Sequence, residues 1–91
     1  MAIRVEFYGI ARQRAGVSEL TLDVPTGGMR LADALMELQG RFPQLGRDLT
    51  SSSRLHESFA ANLDGTQFVS DPATLIRDGQ CLLILSADAG G

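Results

Sequence analysis

Hydrophobic and polar positions alternate with a period of two at the start of the chain. Ile3, Val5 and Phe7 fall on one face of an extended backbone, which predicts a half-buried strand. The segment ELTLDV repeats this alternation until Pro25 stops it. Residues 9–16, which are bracketed by glycines, predict a turn or a short helix between the two strands. A connection of about ten residues is too short for a βαβ crossover, so we expect an antiparallel hairpin.

The hydrophobic period changes after the glycine pair at 27–28. Apolar residues then recur at helical offsets and form one stripe, which predicts an amphipathic helix lying across a sheet. The stripe consists of Leu31, Ala34, Leu35, Leu38, Phe42 and Leu45. Pro43 disfavours helical geometry in the residue before it, so the helix is expected to end at about Phe42. The segment 46–58 contains three consecutive serines and little periodicity, and we predict an irregular loop there.

Two Asp-Gly pairs indicate the turns that join the remaining short strands. Asp64-Gly65 predicts a hairpin turn between FAANL and QFV, with Phe59, Ala61 and Leu63 sharing one face of the first segment. The second Asp-Gly pair leads into the last apolar run, QCLLIL.

The last apolar run is hydrophobic on both of its faces. Leu82 and Ile84 are expected to point into the core. Three side chains are left on the opposite face, namely Cys81, Leu83 and Leu85. A single helix covers only one face of a small sheet, so either the loop 46–58 folds over the second face or that face is an interaction surface.

The order of elements predicts an α+β fold. We expect a mixed sheet of four to five strands with one main helix packed across one face. The sheet and helix occupy residues 1–85, and residues 86–91 form a C-terminal tail that ends in two glycines.

Composition and charge exclude several classes of function. The chain has 91 residues, 44% of them apolar, and a net charge of −3, which fits one globular domain rather than a disordered chain. An acidic chain without a basic cluster is a poor partner for nucleic acid. The longest apolar run is far shorter than the about 20 residues that a bilayer requires. A lone cysteine is typical of a reducing cytoplasm, so we expect a cytoplasmic protein without nucleic-acid or membrane partners.

The usual parts of an enzyme active site are missing from the sequence. His56 is the single histidine and lies in a serine-rich segment, where a solvated loop position is expected and no metal site is formed. Cys81 lies in a predicted strand, and we expect an inert thiol there. The TGG at 26–28 is not followed by the lysine and hydroxyl residue of a phosphate-binding loop. No bound cofactor or metal is therefore expected, and the chain has no catalytic centre of its own.

The C-terminal carboxylate is the remaining candidate for chemistry. It is ionised at neutral pH and weakly nucleophilic, so it can attack an activated phosphate only if another protein supplies the ATP site. Glycines suit such an end because, lacking Cβ, they pass through narrow clefts and adopt dihedrals closed to other residues.

The segments described so far resemble, in their order and spacing, the MoaD/ThiS sulfur carriers of the ubiquitin-like β-grasp superfamily. The resemblance rests on the opening IRVEFYGIARQRAG, the helix ending in RFP, LDG before a short strand, and the closing LIRDGQCLLILSADAGG. It covers nearly the whole chain. The length and the Ala-Arg-x-Arg-x-Gly segment are more similar to the small subunit of molybdopterin synthase than to the shorter thiamine carriers. The resemblance implies a β-grasp fold with a flexible C-terminal tail.

The resemblance also implies a reaction at the chain end. A partner similar to ubiquitin-activating enzymes, an adenylyltransferase that uses ATP, would adenylate Gly91 and convert it to a thiocarboxylate. Gly90 would give clearance in the partner's cleft. The thiocarboxylate would donate its sulfur for molybdenum cofactor biosynthesis inside the large subunit of molybdopterin synthase, or inside another sulfur-accepting enzyme. This chain would be the small non-catalytic subunit or a co-substrate.

An apolar partner-binding surface beside the tail is a further implication of the resemblance. The matching positions are Tyr8, Phe68, Leu83 and Leu85. Asp88 adds negative charge beside the chain end, which favours a basic groove in the partner.

This sequence departs from the resemblance at the base of the tail. Molybdopterin carriers usually have a Pro-Pro pair there, whereas this chain has Ser86-Ala87. Proline fixes φ, so its absence predicts a looser tail. A sulfur carrier for cysteine, thiamine or thio-metabolite biosynthesis therefore remains an alternative.

Two further alternatives belong to other functional classes. The chain could be a protein modifier conjugated through Gly91; its eight cationic residues are all arginines, so it could not build lysine-linked chains on itself. It could also be a β-grasp binding module in which the terminal glycines have no role.

Overall fold

The computed structural model describes residues 1–51 and 54–87. Three helices and nine strands are found in these ranges. In chain order they are β1 (Ala2–Phe7), α1 (Ile10–Ala15), β2 (Glu19–Asp23), β3 (Met29–Arg30), α2 (Leu31–Arg41), α3 (Pro43–Leu49), β4 (Thr50–Ser51), β5 (Arg54–Leu55), β6 (Phe59–Leu63), β7 (Gln67–Val69), β8 (Leu75–Ile76) and β9 (Cys81–Ser86).

The main sheet has five strands in the order β2-β1-β9-β6-β7. The predicted hairpin is confirmed, because β1 and β2 pair antiparallel with Ile3 opposite Leu22. The first and last strands pair parallel, with Val5 opposite Leu82, and β9 pairs antiparallel with β6 on its other side. The sheet is therefore mixed, as predicted, and its last strand lies at the centre.

One face of the sheet and the helices enclose a single hydrophobic core. The predicted apolar stripe of α2 is buried at Leu31, Ala34, Leu35 and Leu38. Burying one such leucine contributes about 1.5–3 kcal/mol relative to leaving it exposed. The helix ends at Arg41, directly before the position that the sequence predicts. The α+β prediction with a main helix across one face is thus confirmed.

The prediction of an irregular loop over 46–58 is wrong for residues 46–51 and 54–55, which lie in α3 and in the paired short strands β4 and β5. A separate helix, α3, begins at Pro43, because proline has no N–H to donate and suits the first turn of a helix. Leu45 and Leu49 lie four residues apart on one helical face and are fully buried. Leu45 therefore belongs to this second helix rather than to the stripe of α2.

The segment after α2 packs on the side of the sheet that α2 covers. Leu45 and Leu49 join the same core as the inward residues of the sheet, and Leu55 packs against that core. The suggestion that this segment folds over the second face is therefore wrong for these residues.

The Asp64-Gly65 turn has the geometry that the sequence predicts. Both residues have positive φ, at 57° and 73°, as the central residues of a type I′ turn require, and the Thr66 N–H donates to the Leu63 carbonyl oxygen across the turn at 3.0 Å. The connection has three residues, because Leu63 pairs with Gln67. The turn directs the chain from β6 into β7, which form an antiparallel pair. Among the described residues, no helix is long and apolar enough to cross a membrane.

Candidate functional site

The central strand β9 has two different faces. Leu82 and Ile84 are fully buried in the core, whereas Cys81, Leu83 and Leu85 are half-buried on the opposite side. This alternation confirms the inward and outward assignment made from the sequence. The outward leucines lie on the central strand of the sheet. If protein covered this face as it covers the other, they would be completely buried.

The outward side chains of neighbouring strands extend this surface. Leu83 lies opposite Asn62 on β6, and Asn62 lies opposite Phe68 on β7. Leu85 lies opposite Ala60. The Tyr8 N–H donates to the Ile84 carbonyl oxygen at 3.0 Å, which brings Tyr8 beside the end of β9. We call the surface made by these six residues the open face: Tyr8, Ala60, Asn62, Phe68, Leu83 and Leu85.

The open face contains a concave region next to the end of β9. A cavity of about 350 Å³ is lined by Tyr8, Gly9, Ala60, Phe68, Leu85, Ser86 and Ala87. Phe68 is 73% exposed and Tyr8 is 43% exposed, which are large values for aromatic side chains. The four positions that the sequence assigns to partner binding are thus brought together on one surface. Their role in binding stays a prediction.

A charged network borders the open face along β1 and β2. The Tyr8 hydroxyl donates to Glu6 Oε1, and Arg4 Nε lies 2.9 Å from Glu6 Oε2 and 3.6 Å from Glu19 Oε2. The hydrogen bond from Tyr8 lowers the pKa of Glu6, and the same bond raises the pKa of Tyr8. The network fixes the orientation of the Tyr8 ring. Sequence reasoning missed Arg4 and Glu6, although their alternation with Ile3, Val5 and Phe7 puts them on this face.

Cys81 lies beside this charged network on the outward side of β9. Burial raises the pKa of its thiol, so the thiol is protonated at neutral pH and a poor nucleophile. Its position opposite Arg4 in the parallel pair β1–β9 does not change that outcome. Cys81 is therefore not equipped to act as a catalytic thiolate.

The base of the tail is held by two hydrogen bonds. Ser86 Oγ accepts from the Ile10 N–H at 2.9 Å, and the Ala87 N–H donates to the Ser58 carbonyl oxygen at 2.8 Å. Strand β9 extends through Ser86, which pairs with Phe59 on β6. Ser86 and Ala87 are thus fixed without the prolines of the resembling carriers. Asp88, Gly90 and Gly91 lie outside the described residues.

Gly9 makes the contact between Ser86 and helix α1 possible. Its φ is 61°, a backbone conformation that residues with a Cβ rarely adopt. A Cβ at this position would lie 2.8 Å from Ser86 Oγ. The glycine therefore allows both the turn into α1 and the close approach of the last strand.

His56 has a structural position on the other side of the tail base. Its ring Nδ1 accepts a hydrogen bond from the backbone N–H of Ser58 at 3.0 Å. The backbone N–H of His56 donates to the Leu49 carbonyl oxygen at 2.8 Å. The side chain is half-buried rather than a freely solvated loop residue. In residues 1–51 and 54–87, no group of three or more His, Cys, Asp or Glu side chains could hold a metal ion.

Several solved structures share the fold of this chain over nearly its whole length. Small archaeal modifier protein 1 of Haloferax volcanii superposes with a TM-score of 0.81 at 21% identity, and each chain is covered completely. A putative molybdopterin converting factor subunit 1 of Pyrococcus furiosus gives 0.77 at 22% identity, covering 94% of this chain and 97% of that one. The BexX/CysO complex of Amycolatopsis orientalis gives 0.74 at 21% identity over 98% and 99% of the two chains. No family model and no curated protein sequence matches the chain. These likenesses establish the β-grasp fold that the sequence resemblance implied.

Proposed function

We propose that this chain is a ubiquitin-like sulfur carrier whose C-terminal Gly91 is adenylated by a partner enzyme and converted to a thiocarboxylate. The observation that carries the proposal is the position of the open face, which leads directly to the fixed exit of the last strand at Ser86. A partner that binds Tyr8, Phe68 and Leu85 would have the chain end within reach. The shared fold of a molybdopterin converting factor subunit, a CysO protein and an archaeal modifier supports a role of this kind.

The chemistry would take place at the carboxylate of Gly91, with Gly90 giving clearance. The carboxylate attacks the α-phosphate of ATP bound to an adenylyltransferase, pyrophosphate leaves, and an acyl adenylate forms. Hydrosulfide released by a sulfide donor then attacks the acyl carbon, and AMP leaves as the thiocarboxylate forms. The present chain binds the partner and orients its own C-terminus. It supplies no catalytic thiolate, because burial raises the pKa of the Cys81 thiol and keeps it protonated.

The acceptor of the sulfur is, in our proposal, a pterin precursor held inside the large subunit of molybdopterin synthase. The molybdopterin converting factor subunit among the structural neighbours supports this choice. The IARQRAG segment, which resembles the small synthase subunit, forms helix α1 and adjoins the base of the tail through Ile10. In this role Asp88 would meet a basic groove in the partner.

Conjugation to other proteins through Gly91 is the second candidate function. It is favoured by the complete mutual coverage with small archaeal modifier protein 1. Because the chain contains arginine but no lysine, it would be attached to targets as a single unit.

Intact mass spectrometry tests the proposal. The chain is incubated with ATP, an adenylyltransferase and a sulfide donor, beside a known sulfur carrier as positive control. We expect replacement of one oxygen by sulfur, which differs from the addition of a whole sulfur atom by persulfidation of Cys81. The Cys81→Ser variant should give the same mass change, and a variant lacking Gly91 should give none.

The outcome that would overturn the proposal is an unchanged mass when the control carrier gains sulfur. Transfer to the pterin precursor in the presence of the large synthase subunit then tests the acceptor. Adducts of higher mass in cell extracts, lost on deletion of Gly91, would support conjugation instead.

A further inference from the structure

Asn62 is a buried polar residue at the centre of the open face. It lies on β6 between Ala61 and Leu63, whose side chains face the core, so its own side chain points to the opposite side. In the register of the sheet it is flanked by Leu83 on β9 and Phe68 on β7. The residue is only 7% exposed.

The amide oxygen of Asn62 has no hydrogen-bond donor among the described residues. Buried side-chain acceptors in folded proteins are nearly always satisfied, because an unpaired one keeps the full penalty of losing its water. Asparagine is also a poor strand residue compared with the β-branched and aromatic types. At this position an aliphatic side chain would therefore serve the isolated sheet better.

We propose that Asn62 Oδ1 accepts a hydrogen bond from an N–H group of the protein that docks on the open face. That partner would cover Phe68, Leu83 and Leu85 with apolar groups and reach Asn62 with one N–H donor at the centre, after the side chains that close Oδ1 off from solvent in the free chain shift aside. The inference rests on the proposed function, which makes the adenylyltransferase the partner. In addition to that function, the inference assigns two roles to Asn62. It sets the position at which the partner docks, and it disfavours protein surfaces that lack an N–H donor at that point.

The charges around the face favour a different protein over a second copy of this chain. Glu6 and Glu19 border the open face and share a single cation, Arg4. Two copies facing each other would bring both carboxylate pairs together, which like-charge repulsion disfavours. A partner that presents N–H donors complements both these carboxylates and the unpaired oxygen of Asn62.

Affinity measurements on two matched variants test the inference. Asn62→Leu removes the acceptor at nearly constant side-chain size, and Gln67→Leu makes a similar change at an exposed position on the other side of the same hairpin. With the adenylyltransferase as ligand, we expect the Kd of Asn62→Leu to rise about tenfold, because the partner's donor loses its acceptor. Gln67→Leu should bind like the unmodified chain. Asn62→Leu should also melt at a higher temperature than the unmodified chain, which excludes misfolding as the cause of weak binding.

Equal affinities of Asn62→Leu and the unmodified chain would overturn the inference while leaving the proposed function intact. Failure of the unmodified chain to bind the adenylyltransferase would overturn both.

Nuclear magnetic resonance gives a second test without mutation. Asn62 is the single asparagine of the chain, so selective labelling with ¹³C and ¹⁵N gives one side-chain amide signal. We expect its carbonyl carbon to shift downfield when the adenylyltransferase is added, as the oxygen accepts the new hydrogen bond. An unchanged carbonyl signal in the saturated complex, or self-association of the free chain through this face, would overturn the inference.

Discussion

The Ile10 N–H donates a hydrogen bond to Ser86 Oγ at 2.9 Å, which ties the start of the first short helix to the last residue of the central strand. The two residues are 76 positions apart in the sequence. Directly after them, the Ala87 N–H is bound by the Ser58 carbonyl oxygen. The C-terminal segment therefore leaves the domain at a defined point beside the open face.

Replacing Ser86 by alanine should loosen this exit. The change leaves the Ile10 N–H without its acceptor, and we expect the free energy of unfolding to fall by about 1 kcal/mol. Amide exchange at Ile10 and Ala87 should be faster than in the unmodified chain. Ser70→Ala, at an exposed serine after β7, is the matched control and should change neither quantity by a measurable amount. Unchanged exchange at Ile10 in Ser86→Ala would contradict the assignment.

Replacing Gly9 by alanine should destabilise the protein more than the same change at Gly16. Both glycines have positive φ, so alanine is strained at either position. A Cβ at Gly16 meets no atom within 4 Å, whereas at Gly9 it would lie 2.8 Å from Ser86 Oγ. We expect a loss of about 1 kcal/mol for Gly16→Ala and about 2–3 kcal/mol for Gly9→Ala in chemical unfolding. Equal losses at the two positions would show that the contact with Ser86 is unimportant.

Truncating Phe68 should weaken partner binding without affecting stability. Its side chain is 73% exposed, so Phe68→Ala is expected to change the free energy of unfolding by less than about 0.5 kcal/mol. If the ring is an anchor of the interface, the loss in binding is about 2 kcal/mol, or about thirtyfold in Kd for the adenylyltransferase. Met36→Ala is a suitable control, because Met36 is 67% exposed on α2, away from the open face. Equal affinities of the two variants would argue against docking on the open face.

Tyr8 should ionise at higher pH in this protein than in a free peptide. The carboxylate of Glu6 accepts the phenol O–H and stabilises the protonated form, which raises the pKa of Tyr8 above its ordinary value of 10.0. The chain has one tyrosine and no tryptophan, so ultraviolet absorbance follows this single group. Glu6→Gln removes the negative charge and should lower the pKa of Tyr8.

The same hydrogen bond predicts how stability depends on alkaline pH. Because the pKa of Tyr8 is raised in the folded state, its contribution to stability is fully present below the unfolded pKa of about 10 and is lost as the pH rises through the folded pKa. The difference in stability between the unmodified chain and Glu6→Gln should therefore shrink above pH 10. A pKa of Tyr8 that is the same in both proteins would contradict the hydrogen bond.

Local patterns in the sequence determined most of the fold. The alternation of Ile3, Val5 and Phe7 and the helical stripe that begins at Leu31 each define one buried face, and burial of those faces leaves few arrangements of sheet and helix. The Asp64-Gly65 pair indicated the hairpin of β6 and β7, because both residue types tolerate the positive φ that they adopt in its turn. The same alternation in β9 separated Leu82 and Ile84 from the outward leucines.

Other features depended on contacts between segments that are distant in the sequence. Pro43 ends one helix and begins another, and only the packing of Leu45 and Leu49 into the core selects the second helix. The burial of Asn62 follows from its neighbours Leu83 and Phe68 on other strands. Likewise, the hydrogen bond between Ser86 and Ile10 exists because the parallel pairing of β1 with β9 places the end of β1, and the start of α1 after it, beside the end of β9. Periodicity shows which face of a segment is buried, but the tertiary structure alone decides which groups meet there.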